Sequence, residues 1–510
     1  MKELILAHDL GTTGNKATLL DGQGQVLGSA FSPYETQYGS GGRAEQNPED
    51  WWRAVVASTR QLLAQSRRQA AEIAAVGCSG QMMACLPVDR TGRPLSSALI
   101  WADQRAHEQA TWIADQVGEQ EIYRITGHRA SPSYTAAKWL WHRAHYPDLV
   151  QSTRWMLQAK DYVVHRLTGV FATDYSDASG TNLFDLNERQ WSVEIMDKLG
   201  LPMEVLPPAV PSSTVVGGVT RSAAKETGLQ PDTPVVIGGG DGACATAGAG
   251  VLEPSDAYNY IGSSSWISIV TREPLLDPQR RTFTFAHLDP RYVFPTGTMQ
   301  CAGGSYDWLE RLLRGEQDQP AYQELDRLAG SVPVGARRLL YLPYLIGERS
   351  PHWNPRARGA FLGLGMEHGR AELARAVLEG VAFNLRTIFR AFRAQGAVVP
   401  ALRVIGGGAR SALWRQILAD VLEVPLLRAE LPAEATALGA AMAAAVGVGL
   451  LGSYADGAAW VRVTPGEVPD AARAAAYLSY YELFLQAYRA LEPLYDGLSN
   501  AQIMGGVEGL

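Results

Sequence analysis

The sequence predicts a mixed α/β fold in two similar halves facing one another, and three observations carry that prediction. The first is length: 510 residues exceed what one hydrophobic core ordinarily supports, so two domains of roughly 200 to 250 residues are expected. The second is the alternation of short apolar, strand-like runs with longer stretches of helical periodicity. The third is an internal duplication. An apolar run enters Asp9-Leu10-Gly11-Thr12-Thr13-Gly14 near the start, and another enters Tyr260-Ile261-Gly262-Ser263-Ser264-Ser265 past the midpoint. Val236-Ile237-Gly238-Gly239-Gly240 then recurs letter for letter as Val404-Ile405-Gly406-Gly407-Gly408. The expected boundaries are a first domain over 1–250, a second over 251–490 and a tail over 491–510.

Taken in chain order, Leu4-Ile5-Leu6-Ala7, the turn Gly11-Thr12-Thr13-Gly14, the apolar run 17–20 and the turn Asp21-Gly22-Gln23-Gly24 before Val26 read as a three-strand meander. Asn47-Pro48 followed by Glu49-Asp50-Trp51-Trp52 reads as an N-cap, a proline at the first helical position and acids in the first turn, so a helix starts there. Further strands are expected at 73–77, 234–237, 257–261, 266–270, 339–342 and 402–405, and a helix at 411–422. The longest apolar stretch, 437–452, is rich in Ala and Gly and shorter than the ~20 residues a bilayer crossing needs, so it reads as a buried helix.

Composition removes several function classes. With 46% hydrophobic and 19% charged residues, neither disorder nor a fibrous repeat fits. A net charge of −7 supplies no basic field for DNA, RNA or an anionic membrane, so neither is an expected partner. Four cysteines in so long a chain make no disulfide framework and show no zinc spacing, which points to a reducing cytoplasm. The apolar run at the N-terminus meets His8-Asp9 too soon to be a signal peptide.

The hydroxyl-rich turns carry the chemistry. Glycine lets a backbone approach a bulky anion, and adjacent N–H groups and hydroxyls cradle a phosphate. Two such cradles on facing halves, with candidate contacts Gly11, Thr12, Thr13, Gly262, Ser263 and Ser264, would grip one phosphate tail. Gly406, Gly407, Gly408 and Ser411, at a strand end, leave room for an adenine–ribose group. Asp9, at the end of the first strand, is placed either to hold a hydrated Mg²⁺ or to cap its turn. Asp241, after the first triple glycine, is the candidate general base, with an N-cap role as its alternative. Gln81, Met82 and Met83 offer an amide and two thioethers, and Asp103 and Arg105 a carboxylate and a guanidinium, as candidate sugar contacts; core packing and a surface ion pair are the other readings. A dinucleotide fingerprint at Gly240-Asp241-Gly242-Ala243-Cys244-Ala245 lacks an acid at the usual spacing of about 20 residues, and no GxxxxGK[ST] occurs, so a dehydrogenase and a P-loop enzyme are the weaker accounts. Lys16 reads as a solvated strand residue.

Several of these segments together resemble, in the same order, the FGGY carbohydrate kinases. They are Asp9 to Gly14, Gly80-Gln81-Met82, Trp101 to Arg105, Gly238-Gly239-Gly240-Asp241, Leu342-Pro343-Tyr344-Leu345 through Gly347-Glu348-Arg349-Ser350-Pro351, and Gly406 to Ser411. Among its members the xylulose kinases are the nearest likeness. The resemblance implies two actin-like, ribonuclease H-like domains around a cleft, ATP with Mg²⁺, and transfer of the terminal phosphate to a sugar hydroxyl. Asp241 falls on the family's catalytic aspartate, Asp9 to Gly14 and Gly262 to Ser265 on its phosphate loops, and Gly406 to Ser411 on its adenosine loop. A ketopentose such as D-xylulose is the expected acceptor, with ribulose, gluconate or erythritol as alternatives, and a non-catalytic sensor as a further one. Two departures stand out: Met83 takes the place of a sugar-contacting histidine, and Ser265 supplies a side chain where glycine is usual. Family habit is compatible with a homodimer, although no heptad or exposed apolar stripe demonstrates one.

Overall fold

The structure, a computed structural model of the chain, describes residues 3–314, 322–430 and 434–500. β1 (Leu4–Leu10), β2 (Gly14–Leu20) and β3 (Val26–Pro33) form the antiparallel meander expected from the turn chemistry. β4 (Ile73–Gly80) lies parallel to β1, and β6 (Pro234–Gly240) parallel to β4. β5 (Val215–Gly218) closes the edge antiparallel to β6, giving the order β5-β6-β4-β1-β2-β3. β1 is buried along almost its whole length because both faces of the sheet are covered, which is why it reads as an unbroken apolar run rather than an alternating one.

The second sheet is built from β7 (Ala257–Ile261), β8 (Ser265–Ile269), β9 (Phe283–Ala286), β10 (Val293–Met299), β11 (Leu402–Ile405), β12 (Leu426–Glu430) and β13 (Arg462–Pro465), in the order β9-β10-β8-β7-β11-β12-β13. Strand for strand, β10-β8-β7-β11-β12-β13 repeats β3-β2-β1-β4-β6-β5 in order and direction, with β9 as an additional edge. The chain is thus a duplicated α/β unit, the actin-like arrangement. The glycine pentapeptides do not mark the repeat, however. Gly238 to Gly240 end β6, whereas Gly406 to Gly408 follow β11, whose counterpart is β4. Any tight strand-to-loop corner selects such glycines, so the identical letters sit at non-equivalent corners.

Among the described helices that pack on or beside these sheets are α1 (Pro48–Ser66), α2 (Ala159–Thr168), α3 (Tyr175–Ser179), α4 (Asp241–Gly248), α5 (Gly303–Arg314), α6 (Tyr322–Gly330), α7 (Arg370–Ala394), α8 (Ala412–Leu422), α9 (Ala435–Gly447) and α10 (Ala471–Asn500). α1 starts as expected, with the Asn47 side chain accepting from Glu49 N at 3.1 Å. α9 is the buried apolar helix, and it crosses α4 closely. A Cβ on Gly248 would lie 1.8 Å from Ala435 O, and one on Gly439 2.0 Å from Cys244 O, so only glycine lets the two backbones meet. α9 also packs on Ile5, Ala7, Ala75 and Val236 of the first sheet. The division at residue 250 therefore falls between α4 and β7, with a helix from the second half reaching back to the first.

The strand expected at 339–342 forms as Leu340–Leu342; among the described residues it pairs with Ala360–Leu362, outside both sheets. Residues 491–500 are not a tail: α10 runs through them, carried by a buried stripe of Tyr477, Tyr481, Phe484, Tyr488 and Tyr495, with Pro493 inside the helix. Residues 501–510 lie outside the described residues. The four cysteines are free and buried, and no described helix is long and apolar enough to cross a membrane.

Candidate active site

The two hydroxyl turns are held alike. In the β1–β2 hairpin, Gly11 O accepts from Tyr34 OH at 2.5 Å and Thr12 O from Gln46 Nε2 at 2.7 Å, while Thr13 O accepts from Tyr34 N at 3.1 Å. In a trans peptide the following N–H points opposite to its carbonyl. Drawing these carbonyls back into the lobe therefore turns the Thr12 and Thr13 amides outward. The Trp101 indole N–H donates to Thr12 Oγ1 at 3.1 Å, which leaves the hydroxyl proton free to donate as well. In the β7–β8 hairpin, Gly262 O accepts from Gly303 N at 2.8 Å, and Ser263 O from Ala302 N at 2.8 Å and Gly304 N at 2.9 Å, at the start of α5. The amides of Ser263 and Ser264 are turned out by the same logic. Ser265 does not crowd this cradle, because its hydroxyl points into the sheet, donating to Tyr260 O at 2.5 Å and accepting from Asn259 Nδ2 at 2.8 Å.

Gly406 has φ +92°, and a Cβ there would meet Ile261 O at 2.5 Å; nothing lies within 4 Å of a Cβ built on Gly407. Gly407, Gly408, Gly262 and Ser263 share a cavity of about 540 Å³ with Tyr306 and Trp414, a size suited to a small-molecule ligand. Ser411 also lines it, with its Oγ accepting from Trp414 N at 3.1 Å as the N-cap of α8. The far wall is braced by Tyr306 OH donating to Asp326 Oδ1 at 2.8 Å and Tyr322 OH to Asp307 Oδ1 at 2.9 Å. The sequence analysis drew no candidate from this wall, whose residues carry no glycine-rich or acidic motif.

Asp9 and Asp241 supply the charge. Burial lifts Asp9 to about 6, with Lys16, its partner across the β1–β2 ladder, opposing the shift. Lys16 is not simply solvated: its Nζ lies 3.8 Å from Glu434 of the second half. Asp241 opens α4 as its first residue; its Oδ1 accepts from Gly242 N at 2.7 Å. Burial, and then the charge of Asp9, push its carboxyl up to about 7. A half-buried carboxylate tuned near neutrality is what a general base requires. Asp9, together with Asp241, whose proton affinity the charge of Asp9 raises, offers a pair of carboxylates to a cation. Among the described residues no group of three or more His, Cys, Asp or Glu could cage one. The donors present therefore suit a hard divalent ion that takes few protein oxygens and completes its shell with phosphate and water.

On the acceptor side, Gln81 is buried and donates to Gln46 Oε1 at 2.6 Å; Gln46 in turn reaches Thr12 O and accepts from Trp51 Nε1 at 2.8 Å. Gln46 thus ties the first hairpin to α1, with the Gln81 amide bonded to it. Met82 packs beneath the Asp241 corner, where a Cβ on Gly240 would meet its Cγ at 2.5 Å. Met83 is the more open of the two and sits at φ +65°, with its carbonyl accepting from the buried Lys138 Nζ at 2.8 Å. Asp103 and Arg105 are occupied elsewhere. Asp103 is fully buried, accepting from Ala44 N at 2.9 Å and from Arg105 Nη2 at 2.7 Å, while that same Nη2 bonds Glu45 Oε1 at 2.6 Å. The Arg105 guanidinium stacks on Trp141 in a separate hollow. The pair braces the first lobe and leaves Asp103 no accessible acceptor for a sugar.

The N-terminal domain model of the FGGY family of carbohydrate kinases matches residues 4–248, and the C-terminal domain model residues 257–448. A xylulose kinase of Bacillus subtilis (strain 168) is 32% identical over 97% of this chain and 99% of its own. A gluconokinase of the same organism is 29% identical over 98% and 99%. The crystal structure of a xylulose kinase from Lactobacillus acidophilus aligns with a TM-score of 0.90 at 27% identity, covering 97% of this chain and 99% of that one. With two hydroxyl-bearing hairpins on duplicated lobes and both family domains matched along the chain, the protein belongs to the FGGY family of carbohydrate kinases and is an ATP-dependent sugar kinase.

Proposed function

We propose that the protein transfers the terminal phosphate of ATP to a hydroxyl of D-xylulose, with Asp241 as general base. Residues 1–250 take the sugar and supply Asp241, and residues 251–490 form the half that grips the nucleotide. The observation that carries this reading is the placement of Asp241 as the first residue of α4, with a carboxyl raised to about 7 within electrostatic reach of Asp9 beside the first cradle. From there it can orient a sugar hydroxyl and accept its proton as the phosphoryl group leaves, while the Thr12, Thr13, Ser263 and Ser264 amides and hydroxyls hold the phosphates. Mg²⁺, when bound through Asp9, would neutralise phosphate charge. Gly407 and the Tyr306–Trp414 wall take the adenosine end. Four free, buried cysteines suit a reducing cytoplasm.

Met83 favours a second reading. A thioether donates no hydrogen bond, so an acceptor with a different hydroxyl pattern, such as gluconate, is the alternative. The test is ADP release with D-xylulose, ribulose, gluconate and erythritol, with products identified by mass spectrometry. D-xylulose is expected to give the highest kcat/KM. A clear preference for gluconate would replace the substrate but keep the kinase, whereas ATP binding without any sugar phosphate would favour a sensor.

A further inference from the structure

Directly behind the Asp241 corner lies a buried ionic cluster that the phosphoryl-transfer scheme does not use. Lys160 Nζ lies 2.8 Å from Asp161 Oδ1, 3.0 Å from Asp174 Oδ1 and 3.1 Å from Asp177 Oδ2, and none of the four side chains is more than 1% exposed. Such clusters are weak sources of stability, since desolvation offsets most of the attraction. Their presence at one particular place therefore calls for an explanation in terms of geometry.

That geometry is directional. Asp174 Oδ2 accepts from Ser176 Oγ at 2.5 Å, from Ser176 N at 2.9 Å and from Ser212 Oγ at 2.7 Å. The Ser176 hydroxyl proton is thereby committed to Asp174, and its lone pairs accept from Gly240 N at 2.9 Å. Gly240 is the N-cap of α4, one peptide before Asp241. The chain runs from amide to hydroxyl to carboxylate to ammonium, and each group has one role in it. Ser212 adds a second tether through its carbonyl, which accepts from Gly238 N at 3.0 Å. The surroundings allow little slack: a Cβ on Gly239 would lie 3.0 Å from Ser176 Oγ and 2.3 Å from Leu288 Cδ2. The Asp241 carboxylate itself bonds only Gly242 N of its own helix among the described residues, so its aim into the cleft is inherited from this backbone. α3, which carries Ser176, also takes Ala286 N of β9 on Ser179 Oγ at 3.1 Å, so the brace touches the second sheet as well.

We propose that Ser176, held by Asp174 and through it by Lys160, is a positioning residue for Asp241. It fixes the Gly240 amide and so the direction from which the carboxylate meets the sugar hydroxyl. The inference rests on the reading of Asp241 as the base. Ser176→Ala leaves the Gly240 N–H without its acceptor and frees the corner to shift. Because displacements of about 1 Å can reduce turnover by roughly a hundredfold, kcat is expected to fall ten- to a hundredfold. KM for ATP should stay within about twofold, since the nucleotide wall lies on the other lobe. Ser176→Thr, which keeps a hydroxyl, should recover most of kcat. Ser192→Ala, which removes the N-cap of the helix Val193–Leu199, serves as a stability control that should lower Tm without lowering kcat.

Wild-type kcat in folded Ser176→Ala, or a loss that Ser176→Thr does not relieve, overturns the proposal. Should Ser176→Ala fail to fold, Ser176→Cys presents the same shape with a weaker acceptor, and the same fall in kcat is expected; wild-type kcat there overturns it equally. Asp241→Asn measured alongside separates the two ideas. If it is inactive while Ser176→Ala is normal, the base stands and the brace falls. If Asp241→Asn turns over normally, both fall.

Discussion

Replacing Asp241 by asparagine should make the ligand-free protein more stable as it becomes inactive, and the gain should depend on pH. The carboxyl is raised from 3.8 to about 7, by burial first and then by the charge of Asp9. In the unfolded chain it titrates near its ordinary value. A folded pKa above the unfolded one means that stability is fully present below about pH 4 and is lost as the pH rises to about 7, where the native state must carry an unpaired charge. Each unit is worth about 1.4 kcal/mol, which sets a ceiling of roughly 4 kcal/mol across the window; a half-buried site and relaxation reduce this to about 1 to 2 kcal/mol. Asparagine cannot ionise. Thermal unfolding in metal-free buffer at pH 5 and pH 8 should therefore show the variant gaining on wild type as pH rises, with the gain level above about pH 7, and no sugar phosphate formed at either pH. Equal Tm differences at the two pH values, or a variant less stable at pH 8, would refute the reasoning that the cleft holds this charge at a cost.

Other outcomes follow from the same geometry. Met83→His should fold normally, since histidine tolerates positive φ better than most side chains, and the added donor should lower KM for D-xylulose roughly three- to tenfold; an unchanged KM would separate residue 83 from the sugar. Gly407→Ala should fold and weaken ATP binding, read by titration calorimetry, because its added methyl enters open space on the cavity side. Gly238→Ala should fail to accumulate as folded protein, because its Cβ would lie 1.7 Å from Cys78 O at φ +68°. Gly439→Ala should force α9 away from α4 and lower stability by about 2 to 4 kcal/mol, measured by urea unfolding, with kcat falling because α4 carries Asp241.

The parts of the fold legible in the sequence are those written in local signals. The meander, the Asn47-Pro48 start of α1, the buried α9 and the two hydroxyl hairpins each depend on glycines, caps or apolar runs within a few residues. Asp241 was legible because an acid follows glycines at a strand end. What stayed hidden depends on partners far along the chain. The glycine pentapeptides looked equivalent because close packing selects the same letters at any tight corner, and only the neighbouring strands reveal which corner each occupies. Asp103 and Arg105 looked like sugar ligands until Glu45, Ala44 and Trp141 claimed them. Lys160, Asp161, Asp174 and Asp177 form no motif along the chain, and the packing of α2 and α3 against β6 brings them together. The tail expected over 491–510 instead begins inside α10, whose buried tyrosine stripe continues past Pro493 to Tyr495.

The most direct measurement is a structure of the protein with D-xylulose, Mg²⁺ and a non-hydrolysable ATP analogue. The account predicts an Asp241 carboxylate oxygen about 2.6 to 3.2 Å from the sugar hydroxyl that faces the terminal phosphate, with that phosphate between the Gly11–Gly14 and Gly262–Ser265 hairpins. A sugar hydroxyl aligned for transfer with Asp241 out of hydrogen-bond reach, directly or through one water, would contradict it.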